Sequence, residues 1–123
     1  MVLSVEKPGD AGGVAIVTVP GEYLDASVAE EFKRDAAPVL DANPRAVFDL
    51  SRLQFIDSAG VGALLSCLRR VSAANGDLKL CGLSPAVRAV FDLARMHRLF
   101  DIFPTREEAV AAFNNSDSEQ RDA

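Results

Sequence analysis

What most constrains this chain is the alternation of short β-prone apolar runs with longer stretches whose apolar residues recur at helical spacing. A side-chain period of 2 and one of 3.6 require different backbones, so each switch marks an element boundary. Val2 to Glu6 and Val14 to Val19 are β-prone and are separated by Pro8, Gly9, Asp10, Gly12 and Gly13, residues that favour turns, which predicts a hairpin-like opening. Asp25 or Ser27 can cap a helix reaching Leu40, with Val28, Phe32, Ala36 and Val39 on one face and Asn43-Pro44 as its stop. Arg45 to Leu50 reads as a strand, and Ser51 to Ile56 as a loop leading to Asp57. From Ser58 to Ala74, Val61, Leu64, Leu65, Leu68 and Val71 trace one stripe, the clearest amphipathic helix in the chain. Asn75-Gly76-Asp77 ends it and Leu78 to Cys81 is the next strand. Ser84 then caps a helix with Pro85 at its first position, running to Met96. A strand at Phe100 to Phe103 and a helix from Thr105 to Phe113, opened by a Thr105-x-x-Glu108 capping box, complete the pattern.

The order ββαβαβαβα predicts an α/β fold: a mixed, mostly parallel sheet packed with four helices, joined by right-handed crossovers, with the opening pair as an antiparallel edge. Residues 1–113 are expected to form one domain, because 123 residues can bury a single sizeable core and no more. After Phe113 the sequence NNSDSEQRDA holds no large apolar residue to offset the entropy of ordering, so 114–123 is expected to be a disordered tail.

Composition narrows the function. With 13 Lys+Arg against 18 Asp+Glu the net charge is −5, and no basic cluster exceeds Arg69-Arg70. Nucleic acid and anionic membrane surfaces are therefore excluded as expected partners, since both are held by phosphate neutralisation. The N-terminus lacks a basic region followed by a long apolar one, and no apolar stretch is long enough to span a bilayer, which predicts a cytoplasmic protein. Cys67 and Cys81, with neither a CxxC spacing nor a matching His pair, read as reduced, buried thiols rather than metal ligands.

The informative stretch is Phe55-Ile-Asp-Ser-Ala-Gly-Val-Gly-Ala-Leu-Leu65. Asp57 can cap the helix that follows and places Ser58 in its first turn, where free N–H groups and the positive end of the dipole favour an anion. Gly60 and Gly62 leave that turn without bulky side chains, so a partner backbone could come close to the Ser58 hydroxyl. The same residues also fit a hydroxyl that only caps and glycines that only pack helix against sheet.

This stretch resembles the signature of the STAS domain, and specifically of the stand-alone bacterial anti-sigma-factor antagonists. Pro20-Gly-Glu-Tyr-Leu-Asp25 is similar to the family's Gly-x-x-Asp turn, one residue longer than its common form, and Leu80 to Phe91 is similar to its strand-to-helix junction. The resemblance implies a switch in which Ser58 is phosphorylated by a GHKL-type serine kinase that doubles as an anti-sigma factor. A metal-dependent serine phosphatase reverses the modification. Asp25, Asp57, Ser58, Ala59, Gly60 and Gly62 are then the expected partner-binding residues. Unphosphorylated, the protein would bind the kinase and release a sigma factor or another downstream target. It would be no enzyme and carry no cofactor, the ATP belonging to the kinase. Ala59 stands where many members have a second serine, leaving Ser58 as the acceptor. The resemblance also admits a STAS ligand-binding or scaffold subunit of a sensory assembly or transporter; the intact Asp57-Ser58 pair favours the switch.

Other chemistries fit less well. Ser58 lacks a Gly-x-Ser-x-Gly elbow, and the one imidazole, His97, is expected at a helix end as a surface or capping residue. Gly9 to Gly13 has neither the Walker lysine nor Gly-x-Gly-x-x-Gly spacing and reads as a turn. Asp25, Asp49 and Asp57 could together suit Mg²⁺, but Asp57 is expected to cap and Asp49 lies within a strand. Arg88, Arg95 and Arg98 form either a solvated face or docking contacts.

Overall fold

The computed structural model describes the backbone of residues 1–122 and the side chains of residues 1–114. Along the chain come β1 (Ser4–Glu6), β2 (Ala15–Thr18), β3 (Tyr23–Leu24), α1 (Ala29–Ala42), β4 (Arg45–Asp49), β5 (Phe55–Ile56), α2 (Ser58–Ala73), β6 (Asp77–Cys81), α3 (Pro85–Leu93), a 3-10 turn (Met96–Arg98), β7 (Asp101–Phe103) and α4 (Arg106–Asp122). Five strands form one sheet in the order β1-β2-β4-β6-β7. β1 runs antiparallel to β2, and the other three pairings are parallel, as the alternation of elements requires.

Strand alternation divides the interior into two layers. Ala46 and Phe48 of β4 and Leu78 and Leu80 of β6 enter the larger core with Phe32 and Leu40 of α1, Leu64 and Val71 of α2 and Phe91 of α3. Val47 and Cys81 point to the other face and meet Ala109 and Phe113 of α4. Phe32 meets Phe48, and Phe91 meets Phe100, edge to face at 5.9 and 5.8 Å between ring centroids.

The α4 face also carries charge. The Arg106 guanidinium donates to Asp49, to Glu6 at 3.3 Å and to Thr18 at 3.3 Å. Burial pushes the Asp49 carboxyl up, but Arg106 and the Ser51 N–H, 2.9 Å away, outweigh it and hold Asp49 below the ordinary carboxylate value. Lys79, only 2 % exposed, donates to Asp101 at 2.8 Å and Asp77 at 3.1 Å and lies 4.7 Å from the centroid of the Phe113 ring. These contacts fasten α4 to the sheet.

Four sequence expectations need correction. Two short strands were not anticipated: Tyr23-Leu24 and Phe55-Ile56 form a separate parallel ribbon, pairing Tyr23 with Phe55 and Leu24 with Ile56, where a turn and a loop were expected. Two residues are too few to show a period. Asp25 does not cap α1 directly: its carboxylate accepts from the Ser27 N–H at 3.0 Å and the Ser27 hydroxyl at 2.6 Å, which closes a turn ahead of the helix, and Val28 holds the cap position without a side-chain bond. α3 stops at Leu93 rather than Met96, because Arg95 adopts a left-handed backbone (φ 58°) and the chain tightens into the 3-10 turn. α4 continues past Phe113 to Asp122, since neither Pro nor Gly interrupts it. The expected loose tail falls on side chains that, from residue 115, lie outside the described residues.

Two helix caps and the first turn form as their residues predict. Ser84 accepts from the Val87 N–H at 3.3 Å, and the Thr105–Glu108 box closes with two 3.2 Å bonds. Gly9 to Gly13 lies in a turn closed by the Ala11 N–H on the Pro8 carbonyl. Both cysteines are buried and free, with burial pushing each thiol up to about 12. Among the described residues no helix is long and apolar enough to cross a membrane.

Candidate functional site

β3 and β5 end side by side, and each is followed by an aspartate. Because the ribbon is parallel and Leu24 pairs with Ile56, Asp25 and Asp57 leave it at the same end. Asp57 ties the two turns together: one carboxylate oxygen accepts from the Gly60 N–H at 2.9 Å, capping α2, and the other accepts from the Ala26 N–H at 3.1 Å. Its own N–H donates to the Leu24 carbonyl at 3.4 Å. The structure thus brings Asp25, Asp57 and Ser58 into one corner, although the turn before Asp25 is longer than the family's common form.

Ser58 is exposed in the first turn of α2. Among the described residues its hydroxyl has no hydrogen-bond partner. A helix start leaves four amides without intrahelical acceptors. Here Leu24 and the Asp57 carboxylate satisfy those of Asp57 and Gly60, which leaves the amides of Ser58 and Ala59 without partners among the described residues. The corner therefore offers an accessible nucleophilic oxygen next to free N–H donors, and a carboxylate fully engaged in holding the backbone.

The two glycines have different roles. Gly60 is buried, and a Cβ there would lie 2.1 Å from the Leu24 carbonyl oxygen and 2.7 Å from Ile56. It lets α2 start directly on the ribbon and does not face a partner, a correction to the expectation that both glycines open the surface. Gly62 is exposed with nothing within 4 Å of its would-be Cβ. Ala59 is partly buried against the main core.

Two features of this corner escaped the sequence reading. Tyr23 and Phe55, cross-strand partners on the ribbon, are 52 % and 53 % exposed. Ser58 also opens onto an apolar groove of about 440 Å³ between α2 and α3, with Gly62 and Leu65 on one wall and Val90, Leu93 and Met96 on the other. The exposed aromatics could have been suspected from their place beside the two aspartates. The groove could not, since it depends on how two separated helices pack.

The remaining candidates lie elsewhere. Asp49 is turned toward α4 and bound to Arg106, so it does not join Asp25 and Asp57, and no group of metal-ligating side chains forms among the described residues. His97, in the 3-10 turn, lies 3.7 Å from Asp92 and lines a separate recess with Arg88 and Phe100.

Fold and corner together define an α/β domain that presents one exposed serine at a helix start framed by two aspartates. Residues 5–109 match the STAS domain model, and the chain belongs to that family. BtrV of Bordetella bronchiseptica, provisionally named an anti-sigma factor antagonist, is 33% identical over 117 residues, covering 94% of this chain and 97% of BtrV. A crystal structure of an anti-sigma factor antagonist from Mycobacterium paratuberculosis superposes with a TM-score of 0.76 at 27% identity, covering 90% of this chain and 92% of that one. The anti-sigma factor antagonist SpoIIAA in its unphosphorylated form gives 0.72 at 25% identity, with 93% and 97% covered. Bacillus SpoIIAA in the phosphorylated form shares the fold, at 0.64 and 24% identity over 91% and 99% of the two chains.

Proposed function

We propose that this chain is an anti-sigma-factor antagonist switched by phosphorylation of Ser58. The observation that carries the reading is the exposed, unengaged Ser58 hydroxyl at the start of α2, beside a capping Asp57 and two amides without partners. In the forward step the Ser58 Oγ takes the γ-phosphoryl group of ATP held by a GHKL-type serine kinase, the hydroxyl proton leaves and ADP is released. A metal-dependent serine phosphatase returns the hydroxyl by hydrolysis. The free form binds the kinase, which is also an anti-sigma factor, and so releases a sigma factor or another target. Asp25, Asp57 and Ala59 frame the contact with Ser58, and Gly62 keeps the approach open.

Phosphorylation would change that contact by about −1.5 to −2 charges and three acceptor oxygens. The protein acts in the cytoplasm as substrate and ligand and contributes no catalytic group of its own. Support comes from the antagonists it resembles and from the existence of SpoIIAA in both phosphorylated and unphosphorylated forms.

Incubation with the serine kinase encoded nearest to this protein and Mg-ATP tests the reading. One phosphate by intact mass, mapped to Ser58 and absent from Ser58→Ala, is the expected result. A phosphate on Ser51 or Ser66, or none with an active kinase, would overturn it.

A further inference from the structure

The charge of this chain is unevenly placed. In a protein of net charge −5, α2 together with the segment from Pro85 to Leu99 carries five arginines and a single carboxylate, Asp92. Two of the arginines are engaged: Arg70 donates to Asp41 of α1 at 2.7 Å and Arg88 donates to Asp92 at 3.4 Å. Arg69, Arg95 and Arg98 are exposed and have no counter-ion among the described residues.

Two of these three stand next to residues that line the apolar groove. Ser58, Gly62 and Leu65 line it from α2, and a residue four positions after Leu65 lies on the same helix face, so Arg69 extends that wall by one turn. Arg95 stands between Ala94 and Met96, which both line the opposite wall. Leu93 is 86 % exposed and adds to the apolar lining of the groove with Leu65, Val90 and Met96. The stripe from Ser58 to Arg69 rises about 16 Å, the length of about three helical turns.

We infer that this groove is a docking site for an acidic amphipathic helix of a partner protein, its apolar residues seated between Leu65, Leu93 and Met96 and its carboxylates facing Arg69 and Arg95. A concave apolar floor fits a helix laid in a groove, and the arginines beside its walls, away from the Ser58 end where Asp57 caps α2, select the sign of that helix's charge. Because Ser58 lies at one end of the same groove, a phosphate there would repel the acidic helix that the arginines attract. That control rests on the reading of Ser58 given above, whereas the docking site rests on the groove and its rim alone.

The test uses a synthetic stapled helix of about twelve residues with Leu at i, i+3 and i+7 and Glu on its flanks, beside a copy with every Glu replaced by Lys. Binding to the full chain is followed by calorimetry and by amide NMR shifts. The acidic peptide should shift Gly62, Leu65 and Leu93 and bind more tightly than the Lys copy. It should lose about tenfold in affinity in Arg69→Glu/Arg95→Glu, a double variant at exposed positions whose circular dichroism should stay unchanged. Equal affinity for the two peptides, or shifts elsewhere, would overturn the site. So would co-sedimentation with anionic phosphatidylserine vesicles, lost in the same variant, if the acidic peptide does not bind. Ser58→Glu separates the two claims: weaker peptide binding supports control by phosphate, and unchanged binding overturns that control even if Ser58 proves to be the kinase's acceptor.

Discussion

The two faces of the central sheet use their charged residues in opposite ways. On the α4 face the ionic groups are consumed by structure: Arg106 is held by Asp49, Glu6 and Thr18, and Lys79 by Asp77 and Asp101 under the Phe113 ring. On the α1–α2–α3 face the core is apolar, and the polar groups at its margin, the Ser58 hydroxyl and the side chains of Arg69 and Arg95, are left without partners among the described residues. Charges already paired with one another offer a partner little, whereas unengaged groups on a rigid apolar base are available for recognition. The comparison suggests that substitutions on the first face should change stability and those on the margin of the second should change binding.

The sharpest break within that comparison lies inside one helix turn. Gly60→Ala puts a Cβ 2.1 Å from the Leu24 carbonyl oxygen, a backbone atom that cannot step aside without moving the ribbon. The expected cost is about 3 kcal/mol, the upper end of ordinary overpacking, read as a fall in the urea midpoint. Two positions on, Gly62→Ala meets open space and gains helix propensity, so it should stabilise by about 0.5–1 kcal/mol. If both variants had the same stability, α2 would not start directly on the ribbon.

Next in size is the α4 clamp. Arg106→Ala leaves Asp49, 8 % exposed, as a largely buried carboxylate without its cation. The loss should be about 2 kcal/mol, reduced from the 3–5 typical of fully buried pairs because Arg106 is itself partly exposed. The pH dependence sharpens this. Asp49 has a folded-state value depressed below 3.8, so its contribution is complete above the unfolded value and is lost as pH falls through the folded one. The stability gap between the parent chain and Asp49→Asn should therefore be constant near neutrality and close below pH 3.8 in acid denaturation. A gap that widened in acid would mean that Asp49 is not held as a charged partner of Arg106.

How far the sequence revealed these two faces depends on the length of the element concerned. α2 was legible because a sixteen-residue helix repeats its apolar stripe several times, and its cap could be read from Asp57 alone. The ribbon was not, since Tyr23-Leu24 and Phe55-Ile56 have no period and pair across a long stretch of chain. That ribbon is what brings Asp25 to Asp57 and makes Gly60 a packing residue, so the site's residues were legible and their division of labour was not. The Asp49–Arg106 pair, 57 positions apart, leaves no local signal at all. Arg69 was visible as a charge off the apolar stripe, but its place at a groove depends on the packing of α3.

The smallest expected effect concerns what phosphorylation does to the domain itself. A phosphate on Ser58 would meet the partnerless amides of Ser58 and Ala59 and the positive end of α2, contributing about 0.3–1 kcal/mol at an exposed helix start. Asp57, held by the Gly60 and Ala26 N–H groups and unable to swing away, and Asp25 beside it would repel the same phosphate by a comparable amount that salt screens. The two effects roughly cancel, and neither is large against the ~5–15 kcal/mol usual for a domain. Phosphorylation should therefore leave Tm and the exchange protection of the core unchanged, with altered amide exchange confined to Ala26, Ser27 and Ser58 to Gly60. Hydrogen exchange on the two forms is the measurement. Deprotection reaching Leu64 in α2 or Val47 and Phe48 in β4 would show that the phosphate loosens the apolar face itself, and the separation between a rigid core and a responsive margin would fail.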